Sequence, residues 1–386
     1  MAFTGKATYR GGDTLPEIAE DVSDIVSIVS PYETPLLDLL GDSRKTAFST
    51  YHEWMENIIL PKRDIVADTS MKLDPKKASV RMKNMDRFRV GDIFTPDHSD
   101  ELIQIIKYNS GSKCFELKRG YGGTTITPLP DKSAVTIISN PKLEGASSTG
   151  DRFHKRNRVG NWTQIFSAGI KISGSELAVR KLAVADELDY QKQESLRELL
   201  RNLECTIING RVNTQKKAGS DTETRSMNGI IPMIQTNKYE ANSLISGNTE
   251  TALTEEKLNL ALRRIWEQSA GNVDTIVCNG SQKRKINSFI TSKRGYTSGD
   301  NSFRDMVSGY ESDFGMCRVL LSRNVPENTV LFLDSSRIDV VPLAGRSFHY
   351  KPLAATGDYE SGEVIGEYTL EFRNENAHGM LTGLSI

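Results

Sequence analysis

Between Gly174 and Gly210 the chain runs for 35 residues without a glycine or a proline. No other feature limits the possible folds as much. Ser173-Gly174-Ser175-Glu176 opens the run with the S-x-x-E pattern of a capping box, in which a serine hydroxyl and a glutamate carboxylate satisfy orphan backbone amides. Leu177, Leu182, Leu188, Leu196, Leu199, Leu200, Leu203 and Ile207 then supply an intermittent apolar stripe among Glu, Lys, Arg and Gln. One helix over this span would be roughly 50 Å long. That exceeds the need of a compact domain, so the spacing predicts a spine laid across a subunit.

The 386 residues are too many for one core and imply two or three modules. Forty-nine Lys and Arg against fifty Asp and Glu leave a formal net charge of -1, so any contact with nucleic acid has to be local. No stretch has the roughly 20 consecutive apolar residues of a membrane helix, and MAFTGKATYRGGD lacks a signal-peptide core. The expectation is a chain made in a cytoplasm, with no membrane partner. Its start at Met1 leads us to expect no removed N-terminal pro-segment. Cys114, Cys205, Cys278 and Cys317 form no C-x-x-C pair and are expected to be buried free thiols.

Residues 1–41 read as an arm. Thr14-Leu15-Pro16-Glu17 starts a short amphipathic helix through Ile18, Val22, Ile25, Val26 and Val29. Thr34-Pro35 starts another with Leu36, Leu37, Leu39 and Leu40, closed by Gly41. Helices this short must pack on something else. From about Asn57 to Phe166 the period becomes two. Glu101–Tyr108 and Lys113–Arg119 flank Asn109-Ser110-Gly111-Ser112 as strand, turn and strand, and Val135–Ser139 adds another strand. This β-rich excursion has room for its own small barrel. Beyond a polar linker at 216–225, Leu258, Leu262, Ile265 and Trp266 share a helical face, Thr275–Cys278 is a strand, and a helix covers Gln282–Ile290. Strands follow at Arg318–Ser322, Val330–Leu333, Ile338–Val341 and Glu367–Phe372, which makes the C-terminal third mixed α+β.

The common catalytic motifs are missing. The sequence has no G-K-S or G-K-T of a P-loop, no G-x-S-x-G, no G-x-G-x-x-G and no H-E-x-x-H. His52, His98, His154, His349 and His378 stand alone, so hydrogen bonding is the default for each, and no metal or other cofactor is expected. Asp186, Glu187 and Asp189 crowd one stretch of the long helix, where salt bridging is the simpler role than acid–base chemistry. Tyr121-Gly122-Gly123-Thr124 is read as a turn. The dense basic run Arg152-Phe153-His154-Lys155-Arg156-Asn157-Arg158 could meet nucleic-acid phosphates or an acidic surface on an adjacent copy. Near-neutral net charge favours the second. The candidate interface is therefore Arg152, Lys155, Arg156 and Arg158, with Leu36, Leu37 and Leu40 of the arm.

Four strings in order strengthen a family reading: Ser30-Pro31-Tyr32-Glu33-Thr34-Pro35-Leu36-Leu37, Leu143-Glu144-Gly145, Asn161-Trp162-Thr163-Gln164-Ile165-Phe166, and Arg225-Ser226-Met227-Asn228-Gly229-Ile230. With an arm, a β excursion, a spine and an α+β region, the chain resembles tailed-phage major capsid proteins of the Hong Kong 97-like fold whose extended loop carries an inserted β-module. The resemblance implies an α+β chain divided into an arm at 1–56, an extended loop at 57–166, a peripheral domain with the spine at 167–252, an axial domain at 253–333 and returning strands at 334–386. It implies a structural protein, not an enzyme, that forms hexamers and pentamers of itself in an icosahedral shell around double-stranded DNA. Portal, scaffolding and decoration proteins are the implied partners, with assembly in a bacterial host cytoplasm and final location in the virion. Three other readings stay open: the shell of a bacterial cargo nanocompartment, an unrecognised enzyme within 253–333, and a nucleic-acid or glycan-binding module in the β block.

Overall fold

The computed structural model describes residues 33–57, 62–68, 79–142, 144, 156–178, 187–245, 249–269, 271–293 and 309–386. The expected arm helix at 14–29 lies outside these residues. Two compact units divide the chain: a larger one from the residues up to Glu56, Arg158–Leu262 and Asn272–Ile386, and a smaller one from Asn57–Asn157 and Arg263–Gly271. Among the described residues no helix is long and apolar enough to cross a membrane.

Helix α1 (Pro35–Leu40) starts on the proline, and Gly41, at φ 64°, closes it by donating its amide to the Leu37 carbonyl. Strand β1 (Tyr51–Asn57) pairs with β8 (Arg156–Trp162) as an isolated two-stranded ribbon. Between them, β2 (Arg63–Asp68), β3 (Ser79–Met82), β4 (Ile93–Pro96), β5 (Ile103–Asn109), β6 (Cys114–Lys118) and β7 (Ala134–Ser139) close into a barrel of order 2-3-6-5-4-7. The small barrel expected from the period-two block is there. Alternation points Val66, Val80, Met82, Phe94, Ile103, Ile105, Phe115, Leu117 and Val135 inward. Between Ile105 and Lys107 the β5–β6 register slips, and Ile106, out of phase with inward Ile103 and Ile105, is exposed. Glu101, 1% exposed, takes a two-pronged bond from Arg119 at 2.6 Å per prong and accepts the Gly120 and Thr127 amides. Burial alone would raise this carboxyl, but the Arg119 fork and the two amides outweigh it and hold it below the usual value. The Gly120–Thr124 segment is thereby a pinned turn, as read from the sequence.

In the larger unit β9 (Gln164–Ser173) leads into α2 (Gly174–Ala178), and α3 (Glu187–Asn209) follows beyond residues 179–186. The Glu176 amide donates to the Ser173 hydroxyl at 3.3 Å, which realises one half of the capping box. Leu196, Leu199, Leu200, Leu203, Ile207 and Ile208 are buried on one face of α3, while Glu198 is exposed. Glu187 accepts from Gln191 and Asp189 from Lys192, so these carboxylates support their own helix; Asp186 and Leu182 lie outside the described residues.

After α4 (Ile230–Met233), a six-stranded sheet has the order β10 (Lys238–Glu240), β18 (Gly379–Thr382), β14 (Val330–Leu333), β11 (Thr275–Cys278), β13 (Gly315–Leu321) and β12 (Gly309–Ser312). Its neighbours β10/β18 and β11/β13 are parallel and the other pairs antiparallel. Strands β11 and β14 are buried at every residue, which accounts for their unbroken apolar runs. A second sheet is built on β17 (Tyr359–Phe372), whose one edge carries β9 and whose other edge carries β15 (Ile338–Pro342) and β16 (His349–Leu353) end to end. Helix α5 (Glu255–Gln268) buries Leu258, Leu262 and Ile265 as expected. Trp266 is instead 61% exposed, because it sits about 100° around the helix from Ile265, past the buried stripe. Helix α6 (Gly280–Lys293) follows β11.

The thiols also depart from expectation. Cys278 and Cys317 are buried, with burial pushing them up to about 12 and about 11, but Cys205 is exposed on the outer side of α3 and Cys114 is half-buried. His378 is the most enclosed histidine: its Nδ1 accepts the Asp334 amide at 3.1 Å, Nε2 lies 3.3 Å from the Arg373 carbonyl, and the ring stacks on Phe372. Burial pushes it down to about 4. The unfolded imidazole takes a proton near pH 6.5 and the folded one only near 4, so neutral His378 contributes stability that is lost as pH falls through that window. The loss is about 3 kcal/mol. Glu204, described below, acts in the opposite sense, so the contribution is read by comparison with His378→Gln. In urea titrations the stability gap between wild type and variant is expected to narrow by that amount from pH 7.5 to pH 4. A gap independent of pH would refute it.

Candidate functional site

The sequence pointed to two groups of interface residues, and the structure treats them differently. Leu36 is 1% exposed and lies in the same core cluster as Leu199, Leu203, Ile338 and Phe372. Leu37 and Leu40 are half-buried against that cluster. Leu36 therefore offers no surface to a neighbour, and this corrects its assignment as an interface residue. The reason is a buried carboxylate that sequence reasoning missed. Glu204, wholly buried on α3, accepts the Leu36 and Leu37 amides at 3.2 and 3.3 Å and the Ser322 hydroxyl at 3.0 Å. Burial raises the carboxyl despite these donors. The first amides of a helix have no partner within it, so an acceptor placed there fixes the helix start. The signal was present in sequence: position 204 falls on the apolar stripe, four residues after Leu200 and one after Leu203.

Of the basic run, Arg156 and Arg158 lie on β8 and are exposed, whereas Arg152, His154 and Lys155 lie outside the described residues. Arg158 bonds Glu53 on the paired strand β1 of the same chain. The ribbon also carries Met55, 67% exposed, with Phe48, 88% exposed, just before it. These are the most uncovered large side chains near the run.

The ribbon's root is held by charge. Glu371 on β17 lies 3.0 Å from His52 Nε2 and 2.8 Å from Lys45 Nζ, and Asp339 binds both Lys45 and Arg373. The His52 bond, with Lys45 and Arg373 behind it, overcomes burial and holds Glu371 down at about 2. His98 and His349 likewise bond backbone carbonyls, at Pro128 and Ser347.

Two strings singled out in the sequence meet here. Asn161, 1% exposed, donates to the Asn228 and Leu370 carbonyls and accepts the Trp162 and Asn228 amides. Gln164 accepts the Met227 amide, and Arg225 donates to the Thr163 carbonyl and to Glu367. Gly229 comes within 2.8 Å of Gly210, amide to carbonyl, and a Cβ on Gly229 would sit 2.7 Å from backbone atoms at the end of α3. Only glycine fits such an approach. These strings are stitches between strand and spine. Among the described residues no group of three or more His, Cys, Asp or Glu is placed to hold a metal.

No curated protein matches the chain. Among solved structures it is similar to one from Mycobacterium phage Adephagia, at 10% identity and TM-score 0.42 over 97% of this chain and 99% of that one. A structure from Mycobacterium phage Bobi is similar at 12% identity and TM-score 0.41, over 90% and 93%. The SrpI encapsulin of Synechococcus elongatus is similar at 11% identity and TM-score 0.42, over 60% and 78%. The SU10 major capsid protein family matches residues 3–385, nearly the whole chain, and the chain belongs to that family.

Proposed function

We propose that the chain is the shell subunit of a tailed phage, whose hexamers and pentamers close into an icosahedral capsid around double-stranded DNA with a Hong Kong 97-like organisation. The family match over residues 3–385 is the observation that carries this reading. In it the barrel is the module inserted in the extended loop, α2 and α3 are the spine of the peripheral domain, and residues 253–333 form the axial domain. Arg152, Lys155, Arg156 and Arg158, with Leu37 and Leu40, meet a neighbouring copy. A ribbon whose Met55, with Phe48 just before it, is uncovered in its own subunit gains burial by such packing. The subunit's role is structural, and its assembly in the bacterial cytoplasm draws on a separate scaffolding protein and a portal, with a decoration protein outside.

Deleting residues 1–32 is expected to leave a cooperatively folding subunit that forms no closed particles. The cut stops there because Leu36 and the amides bound to Glu204 belong to the subunit's core. Circular dichroism and size exclusion read the two effects apart. Normal particles from the truncated chain would refute the arm's role in assembly.

A further inference from the structure

The near-zero net charge of the chain hides one local excess. From Thr275 to Gly299 the sequence has no Asp or Glu, and within it α6 places Lys283, Arg284 and Lys285 in succession one turn from its start. Several cations on other helices are neutralised: Lys192 pairs with Asp189, Arg197 with Glu194 and Arg263 with Glu267. On α6, Lys283 Nζ donates to the Val319 carbonyl at 3.3 Å and Lys285 Nζ to the Ser385 carbonyl at 2.7 Å, while Arg284 is exposed. Among the described residues no carboxylate pairs with any of the three. Carbonyls orient an ammonium group without cancelling its charge, so the heads are held in place and remain cationic. The Ser281 hydroxyl beside them is buried without a hydrogen-bond partner, and fully buried Gln282 anchors the turn through the Glu327 and Ser385 carbonyls.

We infer that the first turns of α6, through Lys283, Arg284 and Lys285, form a polyanion-binding surface that takes the phosphate backbone of duplex DNA. The choice of DNA rests on the shell reading above. Cations held by backbone carbonyls and paired with no carboxylate among the described residues suit a regular phosphate array.

The test uses the purified full chain and a fluorescent 30-base-pair duplex, with anisotropy followed across a salt series. Lys283→Gln, Arg284→Gln and Lys285→Gln together keep donors for the Val319 and Ser385 carbonyls, so the fold and any particles seen by microscopy should persist. We expect wild type to bind duplexes of unrelated sequence equally. The triple variant should bind at least tenfold more weakly at low salt, with the slope of log affinity against log salt smaller by about 2 to 3, near 0.9 per lost phosphate contact. Equal binding by variant and wild type would overturn the inference, as would binding of anionic phosphatidylserine vesicles without binding of duplex. Failure of the wild-type chain to form particles would instead count against the shell reading, and the anisotropy result would stand apart from it.

Discussion

Replacing Leu203 with aspartate is expected to eliminate soluble protein, while Glu198→Lys on the same helix leaves yield and melting unchanged. Leu203 is 2% exposed in the cluster joining α3 to β9, β15 and β17. The change removes about 2 kcal/mol of apolar burial and forces a carboxylate into a site with no donor, at a further cost of several kcal/mol. Glu204 next to it is already a buried carboxylate and has claimed the free donors of α1 and Ser322. The total rivals the whole stability of a typical domain, about 5 to 15 kcal/mol. Leu199→Asp should behave alike. Soluble expression of either aspartate variant at the wild-type level would show that α3 does not pack through this face.

Charge reversal at Arg156 is expected to block particle formation while the isolated subunit melts within a few degrees of wild type. Arg156 is exposed on β8 and carries the contact proposed with a neighbouring copy. A reversal at an exposed pair costs only about 1 kcal/mol, but the contact recurs at every subunit of a shell, so the loss multiplies. Arg158 is the less clean probe because it already pairs with Glu53 in its own chain. If the basic run served DNA alone, Arg156→Glu would assemble normally without DNA. Normal empty particles at low salt would therefore contradict the interface assignment.

The distinction between β8 and α6 shows what sequence could and could not reveal. The run 152–158 is dense enough to stand out in the sequence, whereas Lys283-Arg284-Lys285 is short and becomes notable only once the Val319 and Ser385 carbonyls are placed beside it. Periodicity was enough for the barrel and for the buried face of α3, where one face meets a core, and unbroken apolar runs marked β11 and β14, which are buried at every residue. It misled at Trp266, which lies past the narrow buried stripe of α5. The full length of β17 was hidden by Gly362 and Gly366, which admit Tyr350 and Phe348 against the strand where a side chain would clash. Leu36 was read as surface because its short helix has no core of its own; Glu204, 168 residues away, gives it one.

The central claim is that this chain builds a closed shell from copies of itself. Negative-stain electron microscopy of the purified full-length chain tests it most directly. The account predicts closed particles of uniform diameter, or rings of five and six subunits that close when a scaffolding protein is supplied. A monodisperse monomer under all these conditions would contradict it.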